Sequence, residues 1–138
     1  MFTQCTNSGR LILVRMDTGD DILRSLTAAA EQHGIKNGVI LGEIGSIQSY
    51  HIHIVDTTDL PPHDVFLKGD GPFDILALNG LILEGRVHAH ITFGDTAKAL
   101  GGHLEEGCRI LSFSVAYLLE TPDISLAGWD RIGRFVHP

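Results

Sequence analysis

The chain of 138 residues is short of cysteine, of positive charge and of long apolar runs, and each shortage closes off a class of function. Two cysteines, Cys5 and Cys108, cannot build the disulfide framework of a small secreted scaffold, so both are expected to be reduced. Cys108 reads as a buried small hydrophobe rather than a ligand or nucleophile. Lys and Arg together number 10 against 17 Asp and Glu, a net charge of -7, and no cluster of basic residues interrupts the scatter. Such a surface repels a polyanion, which disfavours nucleic acid as a partner. No apolar stretch approaches the ~18 residues of a membrane span. The start, Met1-Phe2-Thr3-Gln4-Cys5, lacks the basic region and apolar block of a signal peptide, so the expected compartment is the cytoplasm. What is present, 43% hydrophobic and 20% charged residues, suits a folded globule, and the length predicts one domain over 1–138.

Periodicity gives the elements. Leu11 to Met16 is an aliphatic run between Gly9 and Asp17-Thr18-Gly19, as for a buried strand. Asp20 is placed to cap a helix in which Ile22, Leu23, Leu26, Ala29 and Ala30 share one face, and Gly34 after His33 is a natural stop. A short strand is expected at Val39-Ile40-Leu41, a break over 42–46, and a longer strand from Ile47 to Val55. There Tyr50, Ile52 and Ile54 face one way and His51, His53 and Val55 the other. Val65 to Lys68 suits an edge strand, Gly69-Asp70-Gly71-Pro72 a turn, and Phe73 to Leu83 the strongest strand, turned back at Glu84-Gly85. From Cys108 to Leu119, Ile110, Ser112, Ser114 and Ala116 alternate with Leu111, Phe113, Val115 and Tyr117. One face suits a core; the other, small and polar, suits a sheet covered on one side or facing a subunit neighbour. Trp129 and Phe135 anchor an otherwise irregular tail from Thr121. The fold class is therefore α+β, a mostly antiparallel sheet with one main helix.

The chemistry concentrates in histidine. His88, His90 and His103 flank the turn-like Gly94-Asp95-Thr96-Ala97. A hairpin with arms 86–94 and 97–104 and a two-residue Asp95-Thr96 loop pairs 94 with 97, 92 with 99, 90 with 101 and 88 with 103. All three imidazoles then share a face, with Gly101 opposite His90 leaving them room. Three imidazoles and a fourth position for water are how catalytic zinc is held, so the expected metal is zinc or another divalent transition metal. A bulge at Gly101-Gly102 would turn His103 away. His51 and His53 form a second His-x-His pair, ranked below the first because local geometry fixes no third histidine beside it, and read as a solvated or interface-facing edge. Arg86 shares the face of His88 and is read first as the partner of a surface acid, second as a carboxylate binder. Glu105 and Glu106 receive no catalytic role, and whether the protein is an enzyme stays open.

The segment Gly71-Pro72-Phe73-Asp74-Ile75-Leu76-Ala77-Leu78-Asn79-Gly80, with His88-Ala89-His90 and Gly101-Gly102-His103-Leu104-Glu105-Glu106-Gly107, resembles the signature segments of the PPC domain, the plants and prokaryotes conserved family. The Gly19-Asp20 helix start and the Gly42 to Gly45 segment extend the likeness over nearly the whole chain. The resemblance implies a compact PPC-like domain, a homotrimer, and a relationship to a fold in which a His-x-His pair and one more histidine hold zinc. Family members of the plant branch bind DNA through Arg-Gly-Arg-Pro segments, which this chain lacks. Two functions follow as expectations: a metal-binding protein acting on a small anionic carbonyl or carboxylate compound, or a non-enzymatic DNA-binding or regulatory oligomeric module.

Overall fold

A computed structural model describes residues 1–136. The elements run β1 (Leu11–Asp17), α1 (Ile22–Gln32), β2 (Gly38–Val55), β3 (Asp64–Leu83), β4 (Arg86–Gly94), β5 (Ala99–Leu104) and β6 (Arg109–Glu120). Every strand pairing is antiparallel, in the order β1-β6-β2-β3-β4-β5, and β5 also pairs back onto β2. The α+β class is therefore as expected, with β2, β3, β4 and β5 joined into a closed ring of pairings. No helix among the described residues is long and apolar enough to cross a membrane.

The helix starts one residue later than expected. Asp21 is the N-cap, its side chain accepting from the Arg24 amide at 3.1 Å and from the Gly107 amide at 2.7 Å. Asp20 instead accepts the Asp17 amide at 2.8 Å and closes the turn between β1 and the helix. Ile22, Leu26, Ala29 and Ala30 are buried in one cluster with Ile12 and Met16 of β1 and Val87 and Ala89 of β4. Burying such aliphatic side chains stabilises the fold by about 1.5–3 kcal/mol for each large one.

Two expected breaks are absorbed into continuous strands. Residues 42–46 do not interrupt β2; its pairing with β6 slips between Ile40 and Gly42 and again between Gly45 and Ile47. Gly69-Asp70-Gly71-Pro72 is not a turn either. Ser49 pairs with Asp70 and Ile47 with Phe73, so the extra residue bulges at Gly71, whose φ of 150° a larger residue would resist. The glycines and proline that signal a turn here bend a long strand. The Glu84-Gly85 turn does form, with φ of 50° and 85°.

The alternation of β6 is also resolved in an unforeseen sense. The small-residue face is the buried one, with Ile110, Ser114 and Ala116 fully covered, while Phe113 is 44% exposed. Ala116 and Ile110 belong to the same core cluster as the helix residues. The large side chains face outward with Leu11 and Leu13 of β1 and Ile44 of β2, their partners across the sheet lying on the same face.

Glu43 is the one acid of β2 turned inward. It is only 3% exposed, and burial pushes its pKa up to about 7, an effect the neighbouring Ser114 hydroxyl offsets only in part. Because the folded state binds this proton more tightly than the unfolded chain, stability falls as pH rises from about 4.5 through about 7. The cost of ionisation is on the order of 3 kcal/mol above that window and absent below it. Urea denaturation at pH 5 and pH 8 should show Glu43→Gln losing less stability between the two than the wild type; equal losses would refute the assignment.

Candidate metal centre

β4 and β5 build the first half of the site. The loop between them spans residues 95–98 rather than two residues. The Asp95 side chain accepts from the amides of Ala97 at 2.7 Å and Lys98 at 2.8 Å, and the Asp95 amide donates to the Lys98 carbonyl at 2.9 Å. This aspartate-centred turn moves the register: His103 lies opposite His90, not His88, and Gly101 opposite Thr92, not His90. The displacement is a whole side-chain repeat, so His103 keeps the face it shares with His88 and His90. Nitrogens of His88, His90 and His103 lie within 4.8 Å of one another. Ring centroids are 4.6 Å apart for His88 and His103 and 5.5 Å for His90 and His103.

β2 supplies the other half. His53 pairs with His103 across the β2–β5 junction, and their rings stack at 4.3 Å. Three strands thus carry His90, His103 and His53 in one row. Gly102 makes the junction possible: a Cβ there would lie 2.5 Å from the His53 carbonyl oxygen. A long-range pairing brings His53, though not His51, beside a histidine that its own neighbourhood lacks. His51 stays outside the cluster, its Nδ1 donating to the Glu106 carbonyl at 2.8 Å.

Carboxylates flank the imidazoles. Glu105 Oε1 lies 2.7 Å from His53 Nδ1, and Glu105 joins His53 and His103 in a second possible ligand set that shares His103 with the first. Glu106 instead pairs with Arg24 at 2.6 Å on the surface. Asp130, from the tail, accepts from His88 Nδ1 at 2.9 Å and from the Arg86 guanidinium. Arg86 therefore serves an acid of its own chain, as read first. No local pattern singled out Asp130 or gave Glu105 a role, since both depend on where distant strands and the tail arrive.

Electrostatics dispose two of the imidazoles, His90 and His103, to stay neutral and donate lone pairs. Burial, then the neighbouring His53 and His88, pull the His103 pKa down to about 4; the same causes lower that of His90. For Asp130, burial works upward, but hydrogen bonds from Arg86 and His88 outweigh it and hold the carboxyl at about 2. Cys108 is fully buried, its thiol pushed up to about 11 chiefly by burial, and contributes packing. The imidazoles of His53, His88 and His103 are half-buried and that of His90 is exposed. A concavity of about 640 Å³ opens elsewhere, beside Asp74, Leu76 and Lys98, and contains none of them.

Comparison with known proteins agrees with this architecture. The family model described as the Plants and Prokaryotes Conserved (PCC) domain matches residues 3–121. The bifunctional protein GlmU of Synechococcus sp. (strain JA-2-3B'a(2-13)) is 30% identical over 111 residues, covering 80% of this chain; the chain spans only 17% of that protein's length. A metal-containing protein of Archaeoglobus fulgidus has a crystal structure similar at TM-score 0.79 and 26% identity, covering 99% of this chain and 98% of that one. A plant- and prokaryote-conserved protein of Pyrococcus horikoshii shares the fold at TM-score 0.79 and 24% identity, over 92% of this chain and 89% of its own. A candidate DNA-binding protein of Bacteroides thetaiotaomicron does so at 0.70 and 21%, over 87% and 86%.

Gly102→Ala tests the junction. The added methyl must push β5 from β2, so the denaturant midpoint should fall by an amount equivalent to about 1–3 kcal/mol, with loss of the His53–His103 proximity seen as a changed imidazole NMR spectrum. A variant as stable as the wild type, with unshifted imidazole resonances, would show that the approach is not tight.

Proposed function

This chain belongs to the Plants and Prokaryotes Conserved domain family, and from that premise and the histidine geometry we propose that it is a metal-binding protein with His88, His90 and His103 as ligands. The observation that carries the reading is three imidazoles from two paired strands with nitrogens within 4.8 Å. Their donor chemistry fits zinc: three imidazole nitrogens, with protonation of His90 and His103 disfavoured by burial and by neighbouring imidazoles, and a side open to water. The metal-containing relative of Archaeoglobus fulgidus supports the same reading. Zinc in such a site polarises a carbonyl or lowers the pKa of bound water to about 7. With neutral ligands the centre keeps a charge of about +2, which favours a small anionic carbonyl or carboxylate compound as its ligand. Arg86 is committed to Asp130, so recognition of such an anion falls to the metal.

The same reading includes self-association. Leu11, Leu13 and Ile44 are 60%, 66% and 56% exposed on one sheet face, and Phe113 joins them. A contiguous apolar patch on a soluble protein marks an interface. It is the surface through which the homotrimer implied by the family likeness forms, in the cytoplasm. A DNA-binding role has the description of the Bacteroides protein in its favour and a net charge of -7 against it.

Untagged protein, dialysed with zinc and then freed of excess, should retain about one equivalent per chain, and His103→Ala should retain none. Retention below about one-third equivalent by the wild type would refute the reading, since a trimer sharing one ion is the lowest stoichiometry it allows. Leu13→Lys combined with Ile44→Lys should sediment as a monomer while the wild type sediments as a trimer. A gel shift on mixed-sequence DNA that survives physiological salt would favour the DNA-binding role instead.

A further inference from the structure

The family match ends at residue 121, and the segment beyond it does not trail away. Leu126 is buried, and its amide donates to Asn37 Oδ1 at 3.0 Å. The Ser125 hydroxyl donates to Glu84 Oε1 at 2.9 Å, tying the tail to the turn that opens β4. Trp129 then meets Phe2 edge-on at 5.8 Å and Phe135 at 5.9 Å. These anchors deliver Asp130, its side chain only 16% exposed, to Nδ1 of His88.

We propose that residues 121–136 form a strap whose Asp130 is the positioning residue for His88, so that metal binding and docking of the strap reinforce each other. The inference rests on His88 being a metal ligand. An ionised carboxylate can only accept, so its contact with Nδ1 fixes the tautomer in which Nε2 carries the lone pair. A metal-binding histidine commonly gives its other ring proton to such a group, which orients the ring and raises its basicity. Arg86, bonded to the same carboxyl oxygen, keeps Asp130 aimed at the ring. If the docked strap improves metal affinity by some factor, bound metal stabilises the docked strap by the same factor. Trp129 is the only tryptophan of the chain and adjoins Asp130, so its emission reports the strap directly.

The test uses the full chain, zinc and a chromophoric chelator as competitor, with wild type, Asp130→Ala, Asp130→Asn and His103→Ala compared. Loss of the carboxylate should weaken zinc binding by roughly 10–100-fold, whereas His103→Ala should abolish it. Zinc should also change Trp129 emission in the wild type and slow proteolysis of the tail, and both responses should shrink in Asp130→Ala. An Asp130 that only holds the tail down would leave zinc affinity unmoved. Zinc affinities within twofold of wild type in both Asp130 variants would overturn the proposal while leaving the metal centre standing. So would a wild type that binds zinc with unchanged Trp129 emission and proteolysis, a measurement that holds even if a variant fails to fold. A wild type that takes up no zinc overturns the metal centre itself, and this inference with it.

Discussion

The double pairing of β5 is the constraint on which the site depends. On one edge its His103 meets His90 of β4; on the other it meets His53 of β2. A short strand held on both sides cannot slide without breaking two sets of backbone hydrogen bonds, and a slip by one residue would turn every side chain to the opposite face. The aspartate-centred turn at 95–98 fixes its start, and Gly102 permits the backbone approach on the β2 side. The row of imidazoles is a consequence of this closure, and the core residue Leu104, paired with Ile52, locks the end of it.

Charge is arranged around that row in layers. The rings crowd together in partial burial, and burial with the neighbouring His53 and His88 disfavours protonation of His90 and His103. On the outer side, Glu105 takes Nδ1 of His53 and Asp130 takes Nδ1 of His88. Carboxylates thus stand at one nitrogen of each of these two rings, an order suited to a cation placed between the rings. Arg86 and the tail complete the layer at His88, which ties the chain's last segment to its most chemically capable residues.

The sheet divides its apolar residues between two tasks. The inner face carries small or medium side chains, Ala116, Ile110 and Ile12, which share one core with the helix residues. Larger ones on the opposite face of β1 and β6 stay uncovered within one chain. Alternation in a strand reveals that two faces differ but carries no label for which is inward, because a second copy covers an apolar face as well as a helix does. Glu43 adds a cost on the inner side, a buried carboxyl that the fold tolerates in its neutral form.

Local sequence was enough for the strands, the helix, the turn at Glu84-Gly85 and the shared face of His88, His90 and His103, because all of these follow from side-chain period and turn chemistry over a few residues. The face survived an incorrect register since the error was a whole repeat of the pleat. The bulge at Gly71 was not legible, for the glycines that signal a turn are the same ones that bend a strand whose partner lies far along the chain. The approach of His53 to His103, separated by 50 positions, and of Asp130 to His88 exists only once the sheet closes and the tail docks. Sequence therefore determined which residues could share a face, and tertiary structure alone decided which faces meet, because that choice is made by backbone pairing and burial between segments that carry no local record of one another.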